Sequence, residues 1–315
     1  MFLGIEIHDD NQQRHRHERT YVGKERKTCQ HDEYADCDNH KQDDGGADAV
    51  HLPFAVIPFN VAQMYRLMAV FFVALGYLLT GPAWADDGRL GLDARQMIVC
   101  LAPNNSSSEG TLQLFHRDAS GKWQPDGKPW PVLFGRYGMA WGRGINPPQP
   151  GPQKANGDRK NPAGLFKIGT IYGYASKLPD GAKGWPYHQV TDRDAWIDDP
   201  KLDDFPYNHL YTLPAGAPFP PWWDKEHMHL GDFAYEWLVL IEHNYTDPVP
   251  ESGNEIFFHI RRGDHYRTAG CTTMERDNLK RLVQWLQPGS NAMLVELTRA
   301  DYARLWKSWN LPPPS

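Results

Sequence analysis

The chain has 315 residues, a formal charge of -6 and 40% hydrophobic residues. That length holds one large domain or two small ones, with enough core to fold without a disulfide scaffold. The mildly acidic balance argues against a dedicated nucleic-acid binder, and four cysteines are too few for a disulfide-dense module.

Residues 1–63 are polar and His-rich, without apolar periodicity, and read as a disordered or mis-assigned extension. Cys29, His31, Cys37 and His40 fit no well-defined zinc spacing. Residues 64–85 then have the order of a secretory signal peptide: Arg66, an apolar run from Leu67 to Leu79, and Ala83-Trp84-Ala85 before Asp86. The expectation is export to the periplasm or cell envelope, with the membrane touched only through that signal. Residues 86–315 would be a single domain with its core over about 96–297.

Aromatics at 12%, with 28 Gly and 26 Pro, favour short strands and many turns. Strands are expected at 96–101, 111–117, 130–134, 164–171, 235–242, 256–260 and 293–297, with long exposed loops at 146–160 and 213–223. Thr272-x-x-Glu275 predicts a capped helix whose stripe is Leu279, Leu282, Val283 and Leu286. Thr298-x-x-Asp301 predicts a short final helix. The fold class is therefore mainly β, with one helix after Cys271 and another at the end.

The chemistry concentrates in 254–274. Strand IFFHI delivers His259, and Thr268-Ala269-Gly270-Cys271 leads into the predicted helix. A thiol at a helix N-terminus gains thiolate character from the macrodipole. Backbone N–H groups of Gly270 and Cys271 would form an oxyanion hole, and His259 would serve as general base and acid. The competing reading is a Cys100–Cys271 disulfide in an oxidising compartment, which would leave a silent envelope-binding domain.

FFHIRRGDHYRTAGCTTM resembles the His…(Ser/Thr)-x-Gly-Cys signature of the L,D-transpeptidase catalytic domain, the YkuD-like family. Gly157–Phe166 is similar to the family's G-D-x-x-T-P-x-G-x-F segment, and Phe134–Gly142 to the glycine-rich strand before it. Trp196–Pro200, Tyr207-Asn208 and Ile241–Tyr245 resemble further segments of one branch. The resemblance implies a mixed β-sandwich or barrel-like fold with a lidded Cys-His groove and no cofactor or metal. It also implies acyl transfer on peptidoglycan stem peptides through a Cys271 thioester, to an amine or, alternatively, to water. Some members attach an envelope lipoprotein. Substrate-binding candidates are Thr268, Arg267, Arg262, Asn208, Asn244 and Trp222. Ala269, Thr273 and Ile260 depart from the usual signature, which has a second His, an Arg and a Gly at those places. Arg261, Arg262 and Arg267 are candidates for the missing cation. His227-Met228-His229 lacks a clear third metal ligand and reads as packing or surface histidines.

Overall fold

The computed structural model describes residues 90–228 and 231–314. The polar extension, the signal-like segment and His229 lie outside the described residues. In chain order the first strands are β1 (Gln96–Ala102), β2 (Glu109–Arg117), β3 (Trp123–Leu133), β4 (Met139–Trp141) and β5 (Asn161–Gly173). β6 (Tyr187–Gln189), β7 (Asp194–Trp196), β8 (Leu210–Thr212) and helix α1 (Trp223–Glu226) follow. The chain ends with β9 (Leu238–Ile241), β10 (Phe257–Ile260), β11 (Thr272–Met274), α2 (Arg276–Trp285), β12 (Met293–Thr298) and α3 (Arg299–Leu305).

The main sheet runs β12-β1-β2-β3-β11-β10-β9-β5, and β12 pairs β5 again, so the sheet closes into a barrel. Closure removes the open edges that expose unpaired backbone groups. The fold is thus mainly β and barrel-like. Strand β1, rich in apolar residues, is buried along almost its whole length between β12 and β2. The main core joins Met97, Ile98, Cys100, Leu112, Leu165, Phe166, Phe258 and Leu294. α2 adds Leu279, Leu282, Val283 and the following Leu286 to this core, confirming the predicted stripe. α3 starts where the sequence placed it: Thr298 Oγ1 accepts Asp301 N–H at 3.1 Å.

Two smaller clusters lie outside the main core. One joins Tyr172, Trp196, Leu238, Leu240 and Phe257, with Tyr235 and Cys271 packed against it. The other, built on the β7–β8 pair and α1, holds Ala195, Ile197, Leu213 and Trp223.

The helix predicted from Thr272 begins later. Thr272–Met274 instead form β11, parallel to β10 and joined to β3 through Thr273 and Leu133. The N-cap is Glu275, whose side chain makes no cap bond. Tertiary pairing has overridden a local capping pattern because the Thr272 hydroxyl is engaged inside the barrel, on Glu296. No helix among the described residues is long and apolar enough to cross a membrane.

Candidate active site

β10 and β11 set the site. Their register pairs Phe258 with Thr272 and His259 with Thr273. Side chains alternate, and register partners share a face. Phe258 and Thr272 therefore point one way, while Phe257, His259, Cys271 and Thr273 point the other. Cys271 stands just before β11, level with Phe257, with His259 two positions further along the neighbouring strand. Both reach the same aromatic side chain. Tyr235 meets the His259 ring edge-on, with centroids 5.4 Å apart, and packs with Cys271 against the same apolar cluster.

The imidazole is 5% exposed, and its Nδ1 lies 2.9 Å from the Ile260 carbonyl. An Nδ1–H donated to that carbonyl leaves Nε2 as the basic nitrogen. Burial pushes its pKa down to about 4, opposed by the Ile260 bond and assisted by the Arg262 charge. The Cys271 thiol donates to the Glu255 carbonyl at 3.3 Å. Burial pushes it up to about 12; the Phe257 N–H lowers it, Glu255 raises it and Lys154 lowers it. The resting side chains are consequently a protonated thiol and a neutral imidazole on one face of the strand pair. The expected macrodipole assistance is absent, because β11 separates Cys271 from the helix.

Both cysteines among the described residues, Cys100 and Cys271, are unpaired. Cys100 is buried in the main core, and Cys271 packs against the Tyr172–Phe257 cluster. No disulfide joins them, and the bridged, silent alternative falls.

The turn before Cys271 is held by Thr268, whose hydroxyl donates to the Cys271 carbonyl at 2.6 Å. The Gly270 N–H donates to that same hydroxyl at 3.2 Å. Gly270 N–H is thus turned away from the oxyanion role expected of it, because Thr268 uses it to close the turn. A side chain at Gly270 would press within 3.1 Å of the Lys160 carbonyl and of Ile256 Cδ1, so glycine is needed for close approach.

The remaining candidates are structural ties. Arg267 pairs with Glu109 and also donates to Ser108 Oγ and the Asp264 carbonyl. Arg261 pairs with Glu275 and Asp264, and Arg262 pairs with Asp232 while lying over Tyr235 and Tyr266. Of the three, only Arg262 approaches His259. Asn208, in the left-handed region at φ 57, receives the Trp196 indole N–H and the Glu255 N–H on its Oδ1, both at 3.0 Å. Its amide donates to the carbonyls of His243 and Asn244. It positions the very residue whose carbonyl holds the thiol. Asn244 ties the loop to Val249 and Gly253. Trp222 packs on Phe205 and Trp223 in the outer cluster.

Several neighbours were missed in the sequence. The Asp198 carboxyl is pushed up by burial and by the Glu226 charge, and that of Glu255 by burial and by Asp198. Lys154, inside the loop expected to be exposed, is 6% exposed and paired with Asp158 at 2.5 Å. Tyr235 and these groups come from distant segments, and no local pattern marks them. His227 Nδ1 lies 3.2 Å from the Trp223 carbonyl, and no cluster of metal-ligating side chains exists among the described residues.

The model of the YkuD family, described as the L,D-transpeptidase catalytic domain, matches residues 116–296, more than half of the chain. The chain belongs to that family. It carries an L,D-transpeptidase-type catalytic domain, and the family acts on peptidoglycan stem peptides. No curated protein and no solved structure matches. The matched span runs from the end of β2 to Glu296 and includes both His259 and Cys271.

Proposed function

We propose that this protein is an exported L,D-transpeptidase in which Cys271 is the nucleophile and His259 the general base and acid. What supports this reading is register and tautomer together: His259 and Cys271 lie on the same face of the β10–β11 pair, and with Nδ1–H held by Ile260 the basic nitrogen is Nε2. A neutral imidazole and a protonated thiol fit a reaction in which the proton moves during attack, without a standing ion pair.

In the first half-reaction, Nε2 takes the Sγ proton as sulfur bonds to the carbonyl carbon at the L-centre of a stem-peptide diamino acid. Cys271 N–H is the oxyanion donor we assign. Collapse breaks the C–N bond, and the imidazolium returns its proton to the leaving amine of terminal D-Ala, giving a thioester. In the second half-reaction an amine of another stem attacks, Nε2 accepts its proton, and the thiolate leaves and is reprotonated. Asn208 serves by placing Glu255, whose carbonyl aims the thiol. The leader at 64–85 delivers the domain to the periplasm or cell envelope, and an envelope lipoprotein is a further acceptor that fits the same chemistry.

Incubation with disaccharide-tetrapeptide tests the reading. Cross-linked dimers with released D-Ala are expected. Tripeptide as the sole product would replace the amine acceptor with water, and unchanged substrate would overturn the assignment.

A further inference from the structure

The opposite face of the same ladder carries a buried polar ring that the reaction does not use. Glu296, on the barrel-closing strand β12, is 1% exposed, in register with Cys100 of β1 and Gly164 of β5. A carboxylate buried this deeply is costly unless its oxygens are satisfied. Here each oxygen has a donor. Thr272 Oγ1 donates to Oε2 at 2.7 Å, and Asn161 Nδ2 donates to Oε1 at 2.6 Å. Asn161 Nδ2 also donates to Thr272 Oγ1 at 2.6 Å, which closes the ring. Asn161 and Thr272 are both fully buried.

The ring connects to the thiol by two routes. Thr272 is the residue after Cys271. Asn161 Oδ1 accepts the Gly135 N–H at 2.5 Å, and Gly135 bridges Thr268, whose hydroxyl holds the Cys271 carbonyl. Gly135 allows no side chain, since a Cβ there would lie 2.5 Å from the Arg159 carbonyl. Hydrogen-bond counting explains the residue types. The amide of Asn161 supplies two donors and Thr272 one, and the two Glu296 oxygens and the Thr272 hydroxyl accept them. Three strands, β5, β11 and β12, are thereby locked behind the turn that presents the sulfur.

We infer that Glu296, Asn161 and Thr272 form a positioning clamp that fixes the Cys271 turn for attack, and that this buried polarity serves catalysis rather than stability. The inference rests on Cys271 being the nucleophile. Apolar replacement of a whole buried ionic group is often neutral or stabilising, whereas Thr272→Val alone strands Glu296 Oε2, so loss of rate in variants that remain folded is the expected signature.

The test uses Thr272→Val, Glu296→Leu and the double variant, with Thr272→Ser as the conservative control. Cross-linking kinetics, urea unfolding midpoints and the rate of Cys271 alkylation by iodoacetamide are measured on each. Thr272→Val is expected to lower kcat at least about tenfold with KM within about twofold, and Thr272→Ser to recover most of the loss. The double variant should lose no more than the worse single variant, as members of one unit do. Wild-type kcat in a folded Thr272→Val protein, or additive losses, would overturn the clamp. If the wild-type protein forms no cross-links, the reading of the site fails instead. Alkylation then decides the clamp alone: a fivefold or larger change on Thr272→Val supports it, and an unchanged rate removes it.

Discussion

On one face of the β10–β11 pair, Thr272 is closed into a ring with Asn161 and Glu296, and each carboxylate oxygen has a donor. On the other face, the Cys271 thiol and His259 Nδ1 are bonded to main-chain carbonyls, and the buried Thr273 Oγ1 opposite His259 has no hydrogen-bond partner. Burial acts on both faces in the same way, against the charged form. It raises Glu296 to about 7, raises the thiol and depresses the imidazole. What differs is satisfaction. The ring is complete within the protein, whereas on the reactive face Thr273 Oγ1 is left without a partner. Incompletely paired buried polar groups of this kind mark functional surfaces.

The sharpest way to break this comparison is to remove the sulfur. Cys271→Ser should lower turnover by at least about a thousandfold while leaving the urea midpoint close to wild type, since serine is nearly isosteric and its hydroxyl can keep the bond to the Glu255 carbonyl. His259→Ala should reduce kcat by about a hundredfold to ten-thousandfold. In the wild-type protein, the acid limb of kcat/KM should fall near pH 4, where the free-enzyme imidazole protonates, and a limb at the ordinary histidine value would contradict the buried, neutral state.

Asn208→Ala tests the support beneath the reactive face. It strips partners from the buried Trp196 indole and from Glu255 N–H, so calorimetry should show a loss of about 2–4 kcal/mol, with slower acylation in whatever protein remains folded.

The pH dependence of stability separates the buried carboxyls from the buried histidines by sign. Glu296, Glu255 and Asp198 have folded pKa values above their unfolded ones, so their contribution is full at low pH and lost as pH rises through the folded values. His259 and His243 are depressed below 6.5, so theirs is full above 6.5 and lost on acidification. Between pH 6.5 and about 8 the carboxyl contribution dominates, and stability should fall by about 2–3 kcal/mol. Glu296→Leu should flatten part of that slope. The smallest effect is expected at Arg267→Ala: its exposed Glu109 partner limits the pair to less than about 1 kcal/mol, and KM for stem peptides should not move.

Much of the barrel was legible because its strands carry their own period. Gln96–Ala102, Met293–Thr298 and the stripe Leu279, Leu282, Val283 stand where the pattern placed them. His259 and Cys271 were legible as residue types in one short segment. β11 was not, since its pairing depends on Leu133 and on Glu296, both far away in the chain, while its local letters imitate a helix cap. Arg267 was legible as a charge, but its partner Glu109 was not, because the two are far apart in the chain. Tyr235, Asp198 and the ring behind Thr272 are products of closure, with no local signature to read.

The most direct measurement is intact-protein mass spectrometry after exposure to a carbapenem-type acylating agent, followed by peptide mapping. The account predicts one stoichiometric adduct on the peptide carrying Cys271, absent from Cys271→Ala. An adduct that persists in Cys271→Ala, or a wild-type protein that stays unmodified with its Cys271 thiol intact, would contradict it.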